Sequence, residues 1–210
     1  MIVINICGEN GVGKSTVAKY LNYELALLGK KTCVLHLADK VKRIAGYIIG
    51  EDSELYHDRY TKDQEIKELY ISRRQILCNI TEVFIKYVNC DYWWQIIDYY
   101  LTYNYVIIPD CRYKVWLDFL VKRQHKYCNY VIVKSSNDCL EEFSYLGEYV
   151  TVVNDGNEKE LEEKVKYIAK QLVQLPKQTS PTFPSDPTLN TTTFPLPLPS
   201  PQSSAPITFK

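Results

Sequence analysis

The sequence predicts an α/β protein built on a five-stranded, mostly parallel sheet with helices on both faces. Three observations predict it. Short continuous apolar runs, such as IVINI and YVIIP, alternate with longer stretches of helical period. The runs lack the in–out alternation of a sheet with one wet face, and strands buried on both faces belong to parallel sheets covered by helices. An apolar share of 46% and a charged share of 24% leave enough apolar residues for such a core and enough charge to solvate its surface.

Taken in order, IVINI (2–6) is the first strand and stops at a glycine-rich segment. Val17, Leu21, Leu25 and Leu28 recur at helical spacing, and Gly29 is placed to cap that helix. TCVLHL (32–37) is the second strand. A long helical zone runs from about 63 to 89 and a shorter one from 91 to 102. YVIIP (105–109), NYVIVK (129–134) and YVTVVN (149–154) are the third, fourth and fifth strands. The last helix starts near Asn157, with Leu161, Val165, Ile168 and Leu172 as its buried stripe. Glutamates crowd its first turn, where the helix dipole favours them. There is no internal repeat.

Nine of the ten prolines lie at or after Pro176, and all eight glycines lie before it. Residues 176–210 have few large apolar side chains, no helical period and almost no charge, so they cannot offset their ordering entropy by burial. The expected organisation is a domain over 1–175 and a disordered, proline-rich tail over 176–210, open to a docking partner that the sequence does not identify. Formal net charge is zero, which argues against a coat for nucleic acid or for an anionic membrane. The first apolar run is too short for a signal peptide, and no stretch approaches a membrane span. Seven cysteines without a CxxC pair are expected as free thiols, mostly small buried apolar residues, in a reducing, cytoplasmic setting.

Gly8-Glu9-Asn10-Gly11-Val12-Gly13-Lys14-Ser15 fits G-x-x-x-x-G-K-[ST], between a strand and a helix as that motif requires. The glycines let backbone N–H groups converge on phosphate oxygens, and the helix N-terminus adds its positive dipole end. The expectation is a P-loop NTPase fold that binds ATP through Gly8 to Ser15 and Thr16. Lys14 is expected on the β- and γ-phosphates and Ser15 on Mg²⁺. The N-K-x-D base-reading motif of guanine-nucleotide switches is absent, since Val153-Asn154-Asp155-Gly156 lacks the lysine. Glu9 stands where partitioning ATPases have an extra lysine. A small-molecule kinase remains, and it needs a second anion site facing the first. Two strand ends supply one: the second strand runs into Ala38-Asp39-Lys40-Val41-Lys42, and the third into Asp110-Cys111-Arg112.

These residues give the chain a resemblance to the bacteriophage and large-DNA-virus type of deoxynucleoside monophosphate kinase. Leu37-Ala38-Asp39-Lys40-Val41-Lys42 is similar to the family's F-A-D-P-L-K phrase, with Lys40 at the proline. RRQILCNITEVF (73–84), followed by Asp91-Tyr92-Trp93, resembles its arginine-led helix. Either Arg73 or Arg74 can match the arginine, and Arg74 is preferred because Arg74-Gln75-Ile76-Leu77 keeps the spacing to the apolar pair. IIPDCRY (107–113) resembles the strand ending in D-x-R-F, and VVNDGNEKELEEKV (152–165) the N-D-G before an acidic helix. The resemblance covers roughly 1–172.

It implies transfer of the ATP γ-phosphate to a (deoxy)nucleoside 5′-monophosphate. Lys14, Arg74 and Arg112 are the expected catalytic residues. Asp39, Lys42, Arg74, Asp110 and Arg112 are expected to bind the acceptor, and Ser15 and Asp110 to serve Mg²⁺. A homodimer is compatible with the sequence. Residues 51–70 are either a cover carrying Arg59 and Lys62 over the phosphates or a solvated helix and loop. Tyr92, Trp93 and Trp94 are either core or a stacking surface for a base. His36, His57 and His125 are too scattered for a metal site. Three other functions stay open: a kinase of another phosphorylated acceptor, such as a mevalonate or coenzyme A precursor; a weakly catalytic nucleotide switch; and a structural interaction module.

Overall fold

The computed structural model describes residues 1–58, 60–87, 95–111, 114–135 and 141–174. Strands β1 (Ile2–Cys7), β2 (Thr32–Val34), β5 (Tyr105–Ile108), β6 (Lys126–Val133) and β7 (Val150–Val153) form one sheet in the order β2-β5-β1-β6-β7. Every pairing is parallel. The expected sheet is therefore present, with β1 at its centre. Strands β3 (Glu65–Ile66) and β4 (Ile71–Ser72) make a separate antiparallel hairpin.

Successive residues of β1 point to opposite faces. Ile4 and Ile6 pack with Val17, Leu21 and Leu25 of helix α1 (Lys14–Leu27) and with Leu161, Val165 and Ile168 of helix α5 (Glu158–Gln174). Val3 and Cys7 face Trp116, Phe119 and Leu120 of helix α4 (Lys114–Lys122). Asn5 is fully buried on the α4 side and would be costly there without partners. It donates to Asn129 Oδ1 and accepts from Trp116 Nε1, both at 2.8 Å. A smaller core of Ala45, Tyr56, Ile66 and Ile76 joins helix α2 (Ala38–Ile49), the hairpin and helix α3 (Arg73–Tyr87). Helix α1 closes as expected on Gly29, at φ +72°. Gly29 N–H donates to Ala26 and Lys30 N–H to Leu25, the paired bonds of a glycine cap.

Four sequence expectations need correction. The second strand stops at Val34, because the N–H groups of Leu37 and Ala38 bond the Asp110 carboxylate instead of a neighbouring strand. The helical zone from 63 begins only at Arg73: Leu69 and Tyr70 N–H groups both bond the Ile66 carbonyl, and Tyr70 at φ +55° turns the chain into β4. Of the zone over 91–102, Gln95–Tyr100 forms a 3₁₀ helix, and 91–94 lie outside the described residues. Helices α2 and α4 occupy segments to which the sequence reading assigns no helix. The 175/176 boundary and the tail also lie outside the described residues. Among the described residues no helix is long and apolar enough to cross a membrane.

Candidate functional site

The glycine segment after β1 turns tightly back into α1. Gly8, Gly11 and Gly13 have φ of +136°, +83° and +100°, a region that penalises any Cβ. A Cβ on Gly8 would also overlap the Ile132 carbonyl of β6, and one on Gly13 would lie 2.6 Å from Asn154 Nδ2. The first turn of α1 therefore opens directly off the loop, with Gly13 as its N-cap. Lys14 Nζ donates to the carbonyls of Gly8 at 2.7 Å and Glu9 at 2.5 Å, folding the ammonium over the loop. Val12 is buried in the α1 core, so the loop offers its backbone there and not its side chain.

A cleft of about 660 Å³ opens at this loop and runs past the carboxyl ends of β2 and β5. Of the residues predicted for ATP and magnesium, Asn10, Gly11, Gly13, Lys14, Ser15 and Thr16 line it; Gly8, Glu9 and Val12 do not. Of those predicted for the acceptor, Asp39, Lys42, Arg74 and Asp110 line the same cleft. Arg112 lies outside the described residues, as do Arg59, Tyr92, Trp93 and Trp94.

Each acceptor-side group is held by a neighbour. Asp110 accepts from Leu37 N–H at 3.2 Å and Ala38 N–H at 2.8 Å, so the end of β5 fixes the start of α2. Burial pushes its carboxyl above the ordinary range, opposed by the Ala38 N–H, His36 and Lys42. Lys42 pairs with Asp39 at 2.8 Å one helical turn away. Arg74 makes a two-pronged pair with Asp63, in which Nη2 lies 2.9 Å from Oδ2. Arg73 points elsewhere: it binds Glu51, whose carboxylate also accepts from Tyr56 Oη at 3.0 Å, and it donates to the Thr61 carbonyl. The two adjacent arginines thus separate into one that braces the 51–70 segment and one that lines the cleft.

Sequence reasoning missed much of the wall. Leu77, Cys78, Thr81 and Ile85 line the cleft beside Arg74. Their spacing of three and four residues places them on one face of α3, and that period was the available signal. His36 and His57 also line it. Among the described residues no group of three metal-capable side chains occurs. Cys7, Cys111 and Cys128 are buried free thiols and Cys33 is half-buried. Cys78 departs from the expected burial: it is exposed. A hydrogen bond with Cys7 and then burial push the Cys111 thiol well above its ordinary range. The 51–70 segment is neither a plain helix nor detached, since two short 3₁₀ turns and the hairpin carry His57 and Lys62 to the cleft wall.

No family model matches the chain, and no curated protein matches it.

Proposed function

We propose that the chain is a P-loop kinase that transfers the ATP γ-phosphate to a (deoxy)nucleoside 5′-monophosphate. The observation that carries this reading is the single cleft in which the glycine loop, with Lys14 and Ser15, opens toward Lys42 and Arg74. A nucleotide hydrolase needs only the first set; a second set of cations, Lys42 on α2 and Arg74 at the start of α3, suits a second anionic substrate.

In this reading the loop N–H groups and the α1 N-terminus take the ATP phosphates, and Lys14 exchanges its two carbonyl partners for phosphate oxygens. Lys42 and Arg74 exchange Asp39 and Asp63 for the acceptor phosphate, and the planar guanidinium suits a bidentate grip. An acceptor oxygen then bonds to the γ-phosphorus as its bond to the β-phosphate bridging oxygen breaks, and ADP leaves. Catalysis consists of in-line placement and charge neutralisation, with no strong base. Mg²⁺ fits the donor set: Ser15 offers a hydroxyl, and each Asp110 oxygen keeps a lone pair beyond its N–H bond. Bound with ATP, it would neutralise phosphate charge, and it requires few protein ligands because phosphates and waters supply the rest.

The test is an ADP-release screen over deoxyribonucleotides, ribonucleotides and non-nucleotide phosphorylated acceptors. Release driven by a nucleoside monophosphate is expected. Release only with a phosphorylated mevalonate or coenzyme A precursor would replace the acceptor class, and nucleotide binding without release would identify a switch.

A further inference from the structure

His57 sits at the end of the first 3₁₀ turn, Ser53–Tyr56, on a fixed support. Its N–H donates to the Glu54 carbonyl at 2.9 Å, and Asp52 caps the turn by accepting from Glu54 N–H at 3.0 Å. The preceding residue, Tyr56, is fully buried in the smaller core and anchored to Glu51. From this support the imidazole Nδ1 reaches 3.3 Å from Lys42 Nζ and 3.9 Å from Asp39 Oδ1.

An ammonium has three donors and no acceptor, so the 3.3 Å contact requires Nδ1 to accept. In that contact the ring proton sits on Nε2. Lys42 spends one donor on Asp39 and one on His57, which leaves the third for a ligand in the cleft. The two tethers differ in kind. Asp39 neutralises the charge that a phosphate would need, whereas His57 holds the ammonium without neutralising it. The Lys42 side chain is 16% exposed, against 35% for Asp39 and 37% for His57, so it is the most sheltered of the three.

We propose that His57 is a positioning residue for the acceptor phosphate: it holds Lys42 in place while the ammonium passes from Asp39 to the phosphate. This rests on the kinase reading, and it assigns part of the acceptor site to the 51–70 segment. A flexible lysine must otherwise lose its side-chain freedom at the moment of binding, and a preset partner reduces that cost.

The test compares the full-length native chain with His57→Ala and His57→Asn, using each of the four deoxynucleoside 5′-monophosphates in steady-state kinetics and in calorimetric titration. His57→Ala is expected to raise the acceptor KM and Kd by about tenfold while the ATP KM and kcat change little. His57→Asn keeps an acceptor oxygen near the place of Nδ1 and should restore most of the loss. A normal acceptor KM in His57→Ala, an equal rise in the ATP KM, or no rescue by asparagine would overturn the proposal while leaving the kinase reading intact. A native chain that neither binds nor turns over any of the four would overturn both.

Discussion

Asn154 ties the end of the sheet to the glycine loop: its Nδ2 donates to the Val12 carbonyl at 2.8 Å. The same atom fills the space a Gly13 Cβ would need. Loop and turn therefore fit only with a glycine on one side and a carboxamide on the other. Asn154→Ala removes the bond and leaves the loop less ordered. The expected result is ATP binding weaker by about tenfold, with a stability loss of about 1 kcal/mol. Calorimetric titration and thermal melting measure the two separately; unchanged ATP affinity would show that the loop holds its shape without Asn154.

Gly8 is the tighter point. A methyl group there meets both the positive φ and the backbone of β6. Gly8→Ala is expected to cost at least about 1–3 kcal/mol from backbone strain alone, since strand β6 must also shift. A thermal melt of the purified variant checks this, and a native midpoint would contradict the described loop geometry.

Arg73 and Arg74 should separate stability from catalysis. Arg73→Ala strips a charged partner from Glu51, and the two side chains are only 13% and 19% exposed, so a loss of about 1–3 kcal/mol is expected. The folded fraction should retain its acceptor KM. Arg74→Ala breaks a more exposed pair, 35% and 51%, and should leave the melting midpoint nearly unchanged while raising the acceptor KM. The reverse pattern would exchange the roles given to the two arginines.

The Arg73–Glu51 pair also has a pH signature. The hydrogen bond from Arg73 holds the Glu51 carboxyl below its ordinary range, against the opposing effect of burial. A carboxyl depressed in the folded state stabilises the fold above its unfolded pKa, about 4.3 for glutamate, and loses that contribution as pH falls through the folded value. The native chain should therefore lose stability toward acid more steeply than Glu51→Gln, as read from urea midpoints across the acid range. Parallel curves would show that the pair contributes nothing to acid sensitivity.

Lys14→Ala should lower turnover far more than it weakens ATP binding, because the ammonium acts most strongly on charge developing at the transferred group. Steady-state rates beside a direct ATP titration distinguish the two effects. Near-native turnover would remove the glycine loop from the reaction.

The sheet was legible in the sequence because its strands are buried on both faces and read as unbroken apolar runs. The glycine loop was legible because its constraint is local: left-handed backbone favours glycine, and Gly8, Gly11 and Gly13 all adopt it. Helix α2 was passed over although Val41, Ile44, Ala45 and Ile49 recur at helical spacing, because the exposed Tyr47 and Ile48 beside them blur that stripe. The overrun of β2 has a different cause, a capture of backbone N–H groups by Asp110 from 72 residues away in sequence. Local pattern carries no trace of that. Asp39, Lys42 and Asp110 were expected at the site from strand ends and Arg74 only from the family resemblance, while His57 was weighed only as a metal ligand. Its place beside Lys42 depends on the path of the 51–70 segment, which no periodicity reveals.

In the proposed reaction, phosphate moves from ATP to a second nucleotide within one cleft. Phosphorus NMR of the native chain with ATP, Mg²⁺ and the most active nucleoside monophosphate tests it most directly. The ATP γ-signal should disappear as β-phosphate signals of ADP and of the new nucleoside diphosphate grow in equal amounts, with no inorganic phosphate. Inorganic phosphate accumulating with ADP, while the monophosphate stays unchanged, would contradict the account and identify a hydrolase.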